Sequence, residues 1–562
     1  MLSSGRVVFF SLIITVGAAG LFVPDAYPAH LTELILERIR TRIEEAGPTR
    51  QITIGDQIVY AAATLPAFYE RRGYAPAWIN GIGISPQADT LMGVLQDAEK
   101  EGMRASDYHF AEIKRLVDKT KKLPIETLAE NAAAATDLEL LLTDAFLIYG
   151  AHLLAGKVNP ETFDSEWHAR RKLADLTEKL QDALTTGSIE KTLQSFLPQQ
   201  PGYAALREAL ARYKDLASTE KWDRIPDGST LQKGDRNERV ALVRKRFSTG
   251  DRANTIHRDE EDLFDGTLEQ AVRQFQELHG LDTDGVIGSA TLSALNVPLE
   301  DRIRQIELNM ERWRWLPQDL GTRYILVNIP QFALTVMEKS EPVMRMKVIV
   351  GKKYRRTPVF SDRMTYLVLS PFWHVPPHIA SADKLPIIQK DSEYLTREHF
   401  KVFQGWGAEA QEIDPITIDW SKLTPDNFPY RLRQDPGPGN ALGPVKFMFP
   451  NKFNVYLHGT SSPELFRKNV RTLSSGCIRI EKPIDLAVYL FQDDPDWTQQ
   501  KILAVIEKRE EQTLQLTNPI FVHLQYWTAW VDDNKQVNFR EDIYGRDKLL
   551  NEALSGNPPT ES

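Results

Sequence analysis

The chain has 562 residues, of which 42% are hydrophobic and 26% charged, and a formal net charge of −9 at pH 7. A chain of this length is too long for one hydrophobic core, so we expect three or four domains. The acidic balance argues against nucleic acid as the main partner. The single cysteine, Cys477, excludes an internal disulfide.

Residues 1–30 predict a signal peptide or an N-terminal membrane anchor. Arg6 precedes an uncharged, almost wholly apolar run over residues 7–23, which is the pattern of an export segment. A buried core helix is the alternative, and the extreme N-terminal position with a basic flank disfavours it. The cleavage signal is indistinct, so cleavage and anchoring both stay open. No later run looks long and apolar enough to span a bilayer, so we expect the rest of the chain on one side of the membrane.

Residues 31–225 predict a mostly helical domain. Apolar residues recur at helical spacing over residues 31–45 and 91–98, and residues 130–154 are rich in Ala and Leu. No pattern in this part indicates chemistry, so a scaffold role is the simplest interpretation.

Residues 228–297 predict a small helical unit. Apolar residues from Leu268 to Leu278 fall on one helical face that Gly280 should end. Asp284 and Gly285 predict a turn, and Ser289 is placed to cap a last short helix. The segments GDR (234–236), AVRQFQ (271–276) and LDTDGVIG (281–288) resemble the three-helix peptidoglycan-binding domain. A generic helical spacer is the alternative.

Residues 323–550 predict a β-rich domain, because period-two alternation begins at Arg323 and returns several times. Residues from about 375 to 440 interrupt the strands with prolines, charges and short helical pieces, and we interpret them as an inserted lid. Residues 551–562 predict a disordered tail. The whole pattern predicts a multidomain α+β protein.

Two segments of the β-rich domain carry the residues of a nucleophilic site. YLHGT (456–460) closes a predicted strand, and SSGCIR (474–479) follows it after an excursion. A histidine near a cysteine can take the thiol proton and form an ion pair, which makes His458 a candidate base and Cys477 a candidate nucleophile. Since no acid lies beside His458, the backbone carbonyl of Gly459 is the candidate that orients the imidazole.

The residues around the cysteine suggest how a substrate would be held. The backbone N–H groups of Ser475, Gly476 and Cys477 are candidates for an oxyanion site. Arg479 is a candidate for holding a substrate carboxylate or lowering the thiol pKa. Tyr456 and Trp373 are further candidates for lining the substrate groove, although core packing is as good an interpretation for Trp373. Most lone cysteines are buried hydrophobes, so the residues alone leave catalysis at even odds.

The segment from 458 to 479 is similar to the signature of the L,D-transpeptidase (YkuD) family, which is His followed by [Ser/Thr]-x-Gly-Cys-x-[Arg/Asn]. More closely, residues from about 60 to 550 resemble the large periplasmic members that carry a scaffold and a peptidoglycan-binding domain. Two positions depart from the family pattern: Gly459 stands where an acidic residue is common, and His374 stands where Asn is common. Further matching segments, in family order, are MRMKVIVG (344–351), PFWHVPP (371–377), NALG (440–443) and KFMFPN (446–451).

The resemblance implies acyl transfer without a metal or an organic cofactor. Cys477 would attack the diaminopimelate carbonyl of a tetrapeptide stem, D-Ala would leave, and the amine of a second stem would form a 3→3 cross-link. Water as the acceptor would give an L,D-carboxypeptidase, and a lipoprotein lysine an anchoring enzyme. The expected partners are peptidoglycan stem peptides and carbapenem inhibitors, in the periplasm.

Three rival functions are weaker. Ser381 and Lys384 fit the Ser-x-x-Lys pattern of penicillin-binding enzymes, but no Lys-Thr-Gly triplet accompanies them. His374 and His378 are four residues apart, but two prolines between them forbid the helix that a zinc site would need. A non-catalytic wall-binding protein would rest on residues 228–297 alone.

Overall fold

The structure is a computed structural model that describes residues 26–46, 51–80, 83–122, 128–169, 171–248, 261–405 and 407–556. The apolar run 7–23, interpreted above as a signal peptide or anchor, lies outside the described residues. The multidomain α+β fold predicted from the sequence is confirmed, with a helical scaffold, a small helical domain and a closed β domain.

The N-terminal half of the chain is a helical domain with two small β-hairpins. Its core is one continuous cluster of apolar side chains that runs from Leu31 to Phe196. The elements, in chain order, are α1 (Ala26–Glu45), β1 (Thr53–Ile54), β2 (Gln57–Ile58), α2 (Leu65–Arg71), β3 (Ile79–Asn80), β4 (Gly83–Ile84), α3 (Pro86–Gln96), α4 (Phe110–Thr120), α5 (Leu128–Ala155), α6 (Leu176–Thr186), α7 (Ile189–Ser195) and α8 (Pro201–Thr219).

Helix α5 is the centre of this domain. By length and composition it could cross a membrane, contrary to the expectation that no later run would. It is nonetheless enclosed by the other helices, and nearly every residue from Asn131 to Ala155 is buried. A helix that is apolar on all sides is typical of a domain core.

The small domain contains α9 (Glu238–Phe247), α10 (Gly266–His279) and α11 (Ser289–Leu295). Asp265 caps α10 by accepting from the N–H of Leu268, and Gly280 ends it at φ +66°, as the sequence predicted. The predicted cap of α11 is wrong by one residue, because Gly288 occupies the cap position and Ser289 is the first helical residue.

The C-terminal half is built on a nine-stranded sheet whose order is β15-β7-β16-β14-β13-β8-β17-β5-β6. Strand β6 also pairs with β7, so the sheet closes on itself. The elements are α12 (Leu299–Arg314), β5 (Arg323–Asn328), β6 (Ala333–Glu338), β7 (Glu341–Gly351), β8 (Phe360–Leu369), β13 (Val445–Met448), β14 (Leu457–His458), β15 (Thr472–Ser474), β16 (Ile478–Ile480), α16 (Pro483–Leu490), α17 (Gln499–Lys508), β17 (Gln512–Gln525), β18 (Ala529–Val531), β19 (Val537–Phe539) and α18 (Arg546–Ser555).

The insertion between β8 and β13 has a sheet and a core of its own. Its strands pair in the order β11-β10-β12-β9, which the sequence did not predict, because prolines and charges mask the short alternating runs. The elements are β9 (Trp373–His374), α13 (Pro377–Ile379), α14 (Leu385–Lys390), α15 (Tyr394–Arg397), β10 (Phe400–Gln404), β11 (Gln411–Ile413) and β12 (Tyr430–Gln434).

The prediction of a disordered tail from residue 551 is wrong at its start. Helix α18 continues to Ser555, and its Leu550 is buried against the sheet. Residues 557–562 lie outside the described part of the chain.

Buried ion pairs hold the scaffold against the β domain. Arg546, at the first turn of α18, is fully buried. Its Nε lies 2.6 Å from the Asp164 carboxylate and its Nη2 lies 3.1 Å from that of Glu166. These two acids follow α5 in the scaffold, so the C-terminal helix ties the two halves together.

We expect Arg546→Ala to lower the free energy of unfolding by about 3–5 kcal/mol, because it leaves the buried Asp164 carboxylate without a counter-ion. Urea denaturation followed by tryptophan fluorescence measures the change. The matched control is Arg345→Ala: this arginine pairs with Asp533 at 2.6 Å, but the two side chains are 60% and 70% exposed, so the loss should stay below about 1 kcal/mol. Equal losses in the two variants would contradict the assigned role.

Candidate active site

His458 lies at the middle of a row of three residues that crosses the sheet. Strand β14 pairs antiparallel with β13, where Lys446 stands opposite His458. On its other side β14 pairs parallel with β16, where Arg479 stands opposite His458. Residues in register point to the same face of a sheet, so two cations flank the imidazole.

Cys477 stands one step along the same face. The N–H of Ile478 donates to the carbonyl of Tyr456 at 3.2 Å, which continues the parallel register and places Cys477 beside Tyr456. Alternate residues of a strand share a face, so Tyr456 and His458 project to the same side as Cys477. The fold therefore brings together the cysteine and the histidine that the sequence separates by 19 positions.

The thiol is half-buried and surrounded by polar groups. Its Sγ lies 3.8 Å from the Asn454 carbonyl, to which it donates. Burial raises the pKa of Cys477, while the backbone N–H of Tyr456, the charge of Lys446 and the Tyr456 hydroxyl oppose that rise. Burial wins, so the net shift of the Cys477 pKa disfavours the thiolate.

The charged form of the imidazole is disfavoured as well. Burial, and after it the charges of Arg479 and Lys446, lower the pKa of His458 to about 3, although the carbonyls of Gly459 and Leu442 act in the opposite direction. The orientation of the imidazole by the Gly459 carbonyl stays a prediction. Nδ1 is buried and makes no hydrogen bond of good geometry within the described residues. Both pKa shifts disfavour the ion pair expected from the sequence.

The surroundings of Gly459 leave little space for a side chain, although the resembled family commonly has an acidic residue at this position. A Cβ at this position would meet Cδ of Pro444 at 2.9 Å and the Leu442 carbonyl at 3.2 Å. An acidic side chain therefore has no room here unless the backbone moves.

The turn before the nucleophile is fixed by three hydrogen bonds. Ser474 Oγ donates to the Cys477 carbonyl at 2.5 Å and accepts from the N–H of Gly476 at 3.2 Å. Thr357 Oγ1 donates to the Gly476 carbonyl at 2.8 Å. Gly476 has φ +113°, a conformation in which a side chain is strained, so glycine is needed for the shape of the turn.

These bonds correct one predicted role. The N–H of Gly476 is occupied by Ser474 Oγ, so it is not free for an oxyanion. Within the described part of the chain, the N–H groups of Cys477 and Ser475 donate to no other group, and they stay candidates. The Ser475 hydroxyl accepts from Arg355 Nη1 at 3.0 Å.

Of the two groove candidates, Tyr456 lies at the site and Trp373 does not. The ring centroid of Tyr456 is 5.6 Å from that of His458, and the charge of Cys477 and its hydrogen bond add to burial in raising the pKa of the Tyr456 hydroxyl. Trp373 is 9% exposed and belongs to the core of the insertion, with its ring 5.9 Å from that of Phe400. The interpretation of Trp373 as a groove residue is therefore replaced by core packing.

Two cations at the site, Lys446 and Arg355, were not among the site residues predicted from the sequence. Lys446 is half-buried, and its Nζ lies 4.1 Å from the centroid of the Tyr456 ring. Arg355 pairs with Asp383 of the insertion, Nη2 to Oδ1 at 3.0 Å, while it also bonds Ser475. Lys446 could have been suspected from the alternation in β13, whereas Arg355 lies in a loop with no distinguishing pattern.

Three segments of the chain match known protein families. Residues 322–495 match the L,D-transpeptidase catalytic domain (YkuD). Residues 63–210 match a scaffold domain, and residues 241–295 match a "Putative peptidoglycan binding domain". All three agree with the resemblances seen in the sequence.

Individual relatives cover parts of the chain. A protein of Haemophilus influenzae named "Putative L,D-transpeptidase" is 34% identical over 252 residues, which are 44% of this chain and 49% of that protein. The chain thus spans about half the length of this relative. The N-acetylmuramoyl-L-alanine amidase CwlM of Mycobacterium tuberculosis is 38% identical over 82 residues, or 13% of this chain and 20% of that protein. A crystal structure of an L,D-transpeptidase from Xylanimonas cellulosilytica is 15% identical and covers 53% of this chain and 99% of that one, with a TM-score of 0.16, too low to support an argument.

We expect the thiolate of Cys477 to form only above the ordinary thiol pKa, because burial disfavours the charge. Absorbance at 240 nm, titrated between pH 5 and 11 with Cys477→Ala as the blank, measures this directly. Since the chain has one cysteine, the signal has one source. A thiolate plateau between pH 6 and 8 would instead show a resting ion pair.

Proposed function

Because residues 322–495 match the L,D-transpeptidase catalytic domain (YkuD), we propose that the chain is an L,D-transpeptidase that forms 3→3 cross-links between tetrapeptide stems of peptidoglycan. The reaction is acyl transfer through a thioester on Cys477. The observation that carries this proposal is the arrangement of Cys477 and His458 on one face of two adjacent strands, inside the segment that matches the catalytic domain.

In the first half of the reaction, His458 takes the thiol proton as Cys477 Sγ attacks the carbonyl carbon at the L-centre of diaminopimelate. The carbonyl oxygen becomes an oxyanion, for which the N–H groups of Cys477 and Ser475 are the donors. When the oxyanion collapses, the C–N bond to D-Ala breaks, and His458 returns its proton to the departing amine. A thioester remains on Cys477.

In the second half, the side-chain amine of another stem attacks the thioester carbonyl and gives a proton to His458. The C–S bond breaks, the new amide is the 3→3 cross-link, and the sulfur recovers the proton from His458. We assign the Gly459 carbonyl to orienting the imidazole, and Arg479 to attracting the anionic donor stem.

The other parts of the chain have supporting roles. The segment that matches a peptidoglycan-binding domain would hold the enzyme on its polymeric substrate, and the run 7–23 would export the chain to the periplasm and anchor it there. The insertion reaches the nucleophile turn through Arg355 and Asp383, which supports its role as a lid.

The test is release of D-Ala from a disaccharide-tetrapeptide, with the cross-linked product followed by mass spectrometry. Cys477→Ala should abolish turnover, and His458→Ala should lower kcat at least about a hundredfold, because it removes the general base. Lys452→Met is the control, since Lys452 is exposed and makes only a distant contact with the Phe453 ring, 5.2 Å from its centroid. Peptidoglycan binding without D-Ala release by the unmodified protein would refute the proposal.

A carbapenem offers a second test that needs no acceptor. We expect one covalent adduct per chain, located at Cys477 by peptide mapping and absent from Cys477→Ala. An adduct on Ser381 would instead indicate the serine chemistry of penicillin-binding enzymes. In the structure Lys384 Nζ is hydrogen-bonded to the Tyr394 hydroxyl at 2.7 Å, so it is engaged within the insertion.

A further inference from the structure

Lys446 has no counter-ion at the site. It is half-buried on β13 and lies over the Tyr456 ring. Within the described part of the chain no carboxylate is within ion-pair distance of its Nζ. The thiol of Cys477 and, among acids, Glu511 favour its charged form, but burial outweighs them and lowers the pKa of Lys446.

Arg479, at the other end of the row, likewise has no carboxylate partner among the described residues. Burial lowers the pKa of its guanidinium, and Cys477 alone acts in the opposite direction. Its Nε is buried without a hydrogen-bond partner among the described residues. Two cations thus stand one strand to either side of His458, and neither is paired with an acid.

The edge of the insertion adds positive charge near this row. The pKa of His374 on β9 is lowered by burial, and the charges of Arg433 and Lys446 also lower it, while Glu511 acts against them. Arg433 is partly neutralised by Asp435, at 3.4 Å. A half-buried cation without a partner is costly unless an anion reaches it, so this surface is suited to an anionic ligand.

The substrate of the proposed reaction carries such an anion beside the bond that breaks. The leaving D-Ala ends in a carboxylate whose carbon is three bonds from the carbonyl carbon that Cys477 attacks. Lys446 and Arg479 share the face of Cys477 and lie one step along the strands from it. A carboxylate three bonds from the scissile carbonyl carbon would therefore lie on the face that carries the two cations.

We propose that Lys446, opposite Arg479 across His458, binds the terminal carboxylate of the leaving D-amino acid and so determines specificity for stems that end one residue beyond the scissile bond. The inference rests on the proposed function, and it adds a residue and a selection rule to it. An ammonium or guanidinium bonded to a carboxylate is a charge-assisted contact, and it is lost when the carboxylate is amidated.

The same contact would activate the base. Lys446 and Arg479 both disfavour the imidazolium. A carboxylate between them offsets that repulsion and raises the pKa of His458, so that the imidazole can accept the thiol proton. The pair then becomes reactive only when a correctly ended stem is in place, and the lone thiol is protected from oxidation at other times.

The experiment compares two donors, the tetrapeptide stem and the same stem with a C-terminal D-alaninamide. The unmodified protein should show a kcat/KM about ten- to a hundredfold higher for the acid, as expected for one charge-assisted hydrogen bond. Because Lys446 also acts on the pKa of Cys477 and of His458, Lys446→Met is judged by the ratio of kcat/KM for the acid to that for the amide, which should fall to about threefold or less. Lys446→Arg should restore the preference, and Lys452→Met should leave it unchanged.

Two outcomes would overturn the inference. An equal fall on both donors in Lys446→Met would mean that the lysine acts only on the thiol. An undiminished preference for the acid would mean that another group binds the carboxylate.

Binding separates this inference from the proposed reaction. Calorimetry with Cys477→Ala should show tighter binding of the acid than of the amide, and Cys477→Ala combined with Lys446→Met should bind both alike. If the unmodified protein released no D-Ala but this difference in binding were present, the reaction would fail and the carboxylate site would stand. Turnover without any preference between the two donors would refute the site and leave the reaction intact.

Discussion

The pairing of strand β14 with its neighbours β13 and β16 determines the electrostatics of the candidate active site. Strand β14 contributes His458, and its registers with β13 and β16 place Lys446 on one side and Arg479 on the other. Because side chains alternate between the faces of a sheet, a shift of one residue in either register would send a cation to the opposite face. The lowered pKa of His458 and the proposed affinity for an anion both follow from this row.

Contacts from other parts of the fold hold the residues of this site in place. The closed sheet fixes the registers, and Thr357 and Ser474 hold the turn that presents Cys477. Arg355 links this turn to the insertion through Asp383. A movement of the insertion would therefore shift the turn that carries Cys477. Arg546, whose Nη1 donates to the Thr357 carbonyl at 3.4 Å, joins the scaffold to the β domain.

The resting electrostatics distinguish this site from a preformed thiolate–imidazolium pair. Burial raises the pKa of Cys477 and lowers that of His458; the charges of Arg479 and Lys446 add to the shift of His458 but oppose that of Cys477. A neutral thiol is a poor nucleophile and is slow to oxidise. In the proposed reaction the site would therefore depend on its substrate for activation.

The sequence by itself determined the α+β organisation, the helical scaffold, and the cysteine and histidine that share a face, because periodicity and short motifs are local properties of the chain. Only the tertiary structure decided that Lys446 flanks His458, that the N–H of Gly476 is already occupied, and that Trp373 packs in the core of the insertion. These facts depend on pairings between strands that are distant in the chain. The strands of the insertion were missed for a related reason: each is short, and its pairing with the others provides the regularity that its own residues do not display.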